Sequence, residues 1–131
     1  MSTPEQNGQP MYKDVTDLLF SIASQIIDID QEADRISSSV SNHEEYSKKM
    51  RERAMLIQSL PAILHDYEAV GGSVPTRVKR FGDTFSAKAA QALELDNING
   101  MRELLDTKSK RIGEPNELEM LAISYQPDNL N

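Results

Sequence analysis

The chain contains no cysteine and no tryptophan, and aromatic residues make up only 5% of its 131 positions. Without cysteine there are no disulfides, no thiolate metal ligands and no cysteine nucleophile. Small secreted domains often depend on disulfides, so this absence points to a reducing, cytoplasmic setting. With so few rings, the core has to be built from aliphatic side chains. No apolar run approaches the roughly 20 residues that cross a bilayer, so no membrane association is expected. Residues 1–9 are polar and lack the basic start and apolar stretch of a signal peptide, and they read as a disordered tail. There is no glycine after Met1 and no C-terminal cysteine, so the common lipidation signals are missing.

Positive charge is also scarce. Lys and Arg number 14 against 21 Asp and Glu, a formal net charge of −7. That balance argues against general affinity for a nucleic-acid backbone. The charge is segregated: residues 1–45 carry a net −7 and residues 46–81 a net +4. An acidic first segment followed by a basic one favours pairing within the chain.

What the sequence does have is helical periodicity. Met11, Val15, Leu18, Ile22, Ile26, Ile29, Ala33, Ile36 and Val40 recur about every 3.6 residues, the α-helical repeat. The spacing predicts a helix over 10–38, roughly 42 Å long at 1.5 Å per residue. The serine-rich stretch 37–42 reads as a turn. A second stripe, Tyr46, Met50, Ile57, Leu60, Leu64 and Tyr67, predicts a helix over 42–70. Pro61 lies within it and must kink the helix or break it near Ser59. Gly71 and Gly72 close it.

Val78, Phe81, Phe85, Ala89 and Ala92 form a third stripe, with a break allowed at Gly82. The run 96–100 (DNING) marks a boundary. Ile98, Met101, Leu105 and Ile112 continue toward a stop at Gly113 and Pro115. Asn116 and Glu119 have capping-box spacing before a last short helix carrying Leu118, Leu121 and Tyr125.

The predicted architecture is all-α: one domain over 10–126, a bundle of about four helices. It has a long N-terminal antiparallel helix hairpin, a short C-terminal helix and a frayed end at 127–131.

No residues with clear chemistry stand out. Asp28, Asp30, Glu32 and Asp34 suggest a calcium loop, but its sixth and twelfth positions hold Ala33 and Ser39 instead of glycine and an acid. They read instead as a solvated acidic face. His43 and His65 are far apart in sequence and lack partners at metal-ligand spacing. No catalytic residue, cofactor site or metal site is therefore assigned.

Two surfaces remain as candidates for interaction. Phe20 and Ile27, seven apart, lie roughly 120–140° from the centre of the first stripe and define a second apolar face. Lys48, Lys49, Arg51 and Arg53 cluster at the start of the second helix and set up a local positive field. The expected function is a non-enzymatic protein–protein interaction module: an adaptor, a chaperone-like binder or an assembly subunit. Its partner is a protein, and a homodimer through the long hairpin fits the same reading. One alternative is a DNA-binding regulator with a helix-turn-helix-like segment at 85–105. Another is a small enzyme whose site is assembled from separate helices.

Overall fold

The computed structural model describes residues 14–37, 43–106 and 115–126. These form an all-α bundle: α1 (Val15–Ser37), α2 (His43–Gln58), α3 (Leu60–Ala69), α4 (Thr76–Glu94), α5 (Ile98–Glu103) and α6 (Glu117–Ser124). The tail at 1–9, most of the serine turn, the cations at 108–111 and the end at 127–131 lie outside the described residues.

The first stripe is largely the buried one. Val15, Leu18, Ile22, Ile26 and Ala33 of α1 are in the core. α2 is the hub, packing on α1, α3, α4 and α5, while α6 packs on α1. The charged α2 residues Glu44, Glu45, Lys48, Arg51 and Glu52 remain exposed, while Arg53 falls on the buried face with Met50, Ala54 and Ile57.

Among the described residues six helices stand where about four and a short C-terminal one were expected, because the second breaks in two; the fourth is also shorter than expected. At Pro61 the chain follows neither expected route completely. Ser59 alone interrupts the helix, yet it keeps helical torsions, with φ −80 and ψ −2. Its hydroxyl donates back to the Met55 carbonyl at 2.8 Å and does not cap α3. The apolar stripe therefore continues through Ile57, Leu60, Leu64 and Tyr67, all buried. The shortened helix is α5, which ends at Glu103: Leu104 is extended and Leu105 takes a positive φ of 53.

Gly82, by contrast, does not break α4. A Cβ there would sit 3.0 Å from Leu64 Cδ1, so the missing side chain lets α3 and α4 approach closely.

The two glycines after α3 do different work. Gly71 adopts φ +102, which L side chains avoid. Gly72 donates its N–H to the Tyr67 carbonyl at 2.9 Å and closes the helix end. The Tyr67 ring crowds Gly72: any Cβ there would clash with three ring carbons, Cδ2, Cε2 and Cζ. Gly72→Ala is therefore expected to destabilise the fold by about 1–3 kcal/mol through overpacking. A urea titration that finds a wild-type midpoint would contradict this.

Tyr67 also gives the fold an alkaline limit. Burial, helped by the charges of Asp14 and Asp17, raises its phenol above the ordinary value of 10.0. Below that value Tyr67 is neutral whether the chain is folded or unfolded. As pH rises past it, the unfolded chain ionises first and stability falls. Tyr67→Phe is expected to lose less thermal stability between pH values of about 9 and 11 than wild type does. Parallel melting curves for the two proteins across that range would remove this contribution.

Candidate functional site

The sequence-predicted cations do not form one surface. Lys48 is exposed. Lys49 pairs with Glu52 at 3.3 Å. Arg51 reaches Asp96 at 3.1 Å, in the turn between α4 and α5. Arg53 is completely buried, which corrects its assignment to a docking patch. Phe20 is half-buried against the core and Ile27 is half-buried as well, so the second apolar face of α1 is partly covered by the chain itself.

Arg53 is the centre of a buried charge cluster. Its Nε donates to Asp30 Oδ1 at 2.7 Å and its Nη2 to Asp30 Oδ2 at 3.3 Å. Nη1 donates to the Met101 carbonyl at 2.7 Å and Nη2 to the Leu105 carbonyl at 2.9 Å. These carbonyls lie at and just beyond the end of α5, where helical partners run out. The positive φ of Leu105 belongs to this arrangement.

Arg102 adds a second cation, with Nη1 3.4 Å from Asp30 and 3.2 Å from Asp106. Its Nε and Nη2 are buried and make no hydrogen bond. Burial pulls the Arg53 guanidinium below its ordinary pKa, while Asp30 acts in the opposite direction. Two acids and two bases balance, and the cluster ties α1, α2 and α5 together. Asp30 thus departs from the solvated acidic face expected for residues 28–34. Arg102, which lies in the helix-turn-helix-like segment 85–105, is also inside.

One accessible feature is an open groove between α4 and α6, of about 420 Å³, lined by Arg77, Phe81, Pro115, Glu117, Met120, Leu121 and Ser124. That volume lies in the range of ligand-sized clefts.

Both walls follow from local sequence. On α4, Arg77 and Phe81 are one turn apart. Phe81 stacks on Phe85 with centroids 4.6 Å apart. On α6 the expected capping box forms: Asn116 Oδ1 accepts the Glu119 N–H at 2.8 Å and Glu119 Oε1 accepts the Asn116 N–H at 3.0 Å. This fixes the start of α6. Leu118 and Ala122 are buried, while Met120 is left 58% exposed toward the groove. The Arg77 guanidinium sits 5.6 Å from the centre of the Tyr125 ring.

The groove was not visible in the sequence as a site. Phe81 reads there as ordinary core. Met120 is the one usable signal, an apolar residue off the Leu118–Leu121–Tyr125 face.

No family model, curated protein or solved structure matches this chain. Among the described residues, no group of three or more His, Asp or Glu is placed to hold a metal ion, and no helix is long and apolar enough to cross a membrane.

Proposed function

We propose that the protein is a non-enzymatic helical interaction module that docks a protein partner in the groove between α4 and α6. One observation supports this most: the large apolar side chain of Met120 stands 58% exposed over Phe81 and Leu121, in a cleft edged by Arg77 and Glu117. An exposed apolar surface rimmed by charge is typical of a docking site. Methionine suits one because its flexible thioether adapts to different partners.

The test is quantitative affinity capture with three baits: wild type, Met120→Asp and Lys48→Glu. Because Met120 is exposed, Met120→Asp should change stability by no more than about 0.5 kcal/mol. Proteins retained by wild type and by Lys48→Glu, but lost from Met120→Asp, are the expected result. The same set of proteins retained by all three baits would place docking elsewhere.

A further inference from the structure

The cations of α4 are not used in the same way as the rest. Lys79 pairs with Glu68 at 2.9 Å. Arg77, Arg80 and Lys88 have no carboxylate at ion-pair distance among the described residues; Arg77 and Lys88 rest over the rings of Tyr125 and Phe85 instead. Among the described residues these three cations thus have no carboxylate partner, and Arg77 Nη2 donates to Ser124 Oγ at 3.5 Å.

Their positions are ordered. At about 100° per residue, Lys88 falls about 20° from Arg77 and Arg80 about 60° away on the other side, while Phe81 lies about 40° from Arg77. The exposed acids of this helix, Asp83 and Glu94, are about 100–120° from Arg77 but only about 40–60° from Arg80, so the clear positive edge is the one from Arg77 to Lys88. A cationic stripe therefore runs beside the apolar groove, over about 16 Å from Arg77 to Lys88. Glu117 stands on the opposite wall.

We propose that the groove takes an amphipathic helical segment of a partner protein. Its apolar side faces Phe81, Leu121 and Met120, and its acidic side faces Arg77, Arg80 and Lys88. This rests on the docking reading above and specifies its partner. Charge complementarity selects the acidic segment and sets its orientation. Glu117 repels an acid placed on the wrong side, so the segment enters in one rotational setting. A helix laid into an apolar groove anchors through residues three, four and seven apart. A nucleic-acid backbone fits less well: it gains nothing from the apolar floor, and Glu117 faces it.

The experiment starts from a display library of peptides of about 15 residues, long enough for four helical turns. Peptides are selected on the full-length protein, and binding is then measured by fluorescence anisotropy. The expected peptides carry apolar residues at helical spacing together with Asp or Glu. Met120→Asp abolishes their binding. The triple variant Arg77→Glu, Arg80→Glu, Lys88→Glu weakens it by about tenfold or more. A peptide with Lys in place of its acids recovers affinity for that triple variant.

All three cations are exposed, so the triple variant is expected to melt like wild type. If it does not fold, salt provides the same readout on the wild-type protein: raising ionic strength from about 0.05 to 0.5 M lowers affinity for the acidic peptide.

Selected peptides that need Met120 but are basic, or indifferent to the charge reversal and to salt, overturn the acidic-partner inference and leave the docking reading standing. Failure to select any Met120-dependent peptide removes both. A mixed-sequence DNA duplex retained by wild type and released by the triple variant makes the stripe a phosphate site instead. A concentration-dependent dimer lost in Met120→Asp makes the occupant a second copy of this chain.

Discussion

Asp30→Ala is expected to destabilise the protein by about 3–5 kcal/mol, because it leaves a buried charge without its partner. Asp30 accepts from Nε and Nη2 along one edge of the Arg53 guanidinium and also faces Arg102. With it gone, Arg102 keeps Asp106 and Arg53 has no carboxylate at ion-pair distance among the described residues. In a domain this size the melting temperature should drop by on the order of 10 °C or more.

The surrounding variants rank by what they strand. Arg53→Met leaves Asp30 with Arg102 but unpairs the carbonyls of Met101 and Leu105. Arg102→Met costs least, since two of its donors are already unpaired. The double variant Asp30→Leu, Arg53→Met should be more stable than Asp30→Leu alone, because an apolar pair of similar volume strands no charge. Urea unfolding followed by circular dichroism measures all of these. A loss under about 1 kcal/mol for Asp30→Ala would mean that the cluster does not hold α1, α2 and α5 together.

Leu118→Ala is expected to cost about 2–5 kcal/mol, as for other fully buried leucines. The effect should also be local. α6 has eight residues, well short of a helix that is stable alone. It is held by packing Leu118, Leu121 and Ala122 against the core, chiefly on α1. Trimming Leu118 should therefore release α6 and dismantle one wall of the groove while leaving the contacts of α2 with α4 in place. Amide hydrogen exchange should show protection lost first over 117–124. Uniform loss across all helices would show that α6 is part of one cooperative core and not a separately docked element.

The helical repeat in the sequence was enough to identify the all-α class. Stripes every 3.6 residues, the glycine pair after α3 and the Asn116–Glu119 spacing all correspond to formed features. The cluster was also marked, though in a form that residue type disguised. Asp30 lies four residues after Ile26 and three before Ala33; Arg53 lies three after Met50 and four before Ile57. Both sit where the helical count demands an apolar residue. Two opposite charges, each on the buried stripe of a neighbouring helix, are the sequence signature of a buried ion pair. Judged by residue type alone, each would be assigned to solvent.

The early end of α5 was not legible, because it depends on carbonyls meeting Arg53 from another helix. The groove was not legible either. It exists because α4 packs on α2, α3 and α5 while α6 packs on α1, leaving a gap that only tertiary placement creates.

The docking surface itself is tested most directly by site-specific photo-crosslinking in living cells. A photoreactive amino acid is placed at Met120 or at Met55, two methionines exposed to almost the same degree, 58% and 57%. The account predicts a discrete protein adduct from position 120 and none from position 55. Adducts from position 55 alone, or equal adducts from both, would contradict it.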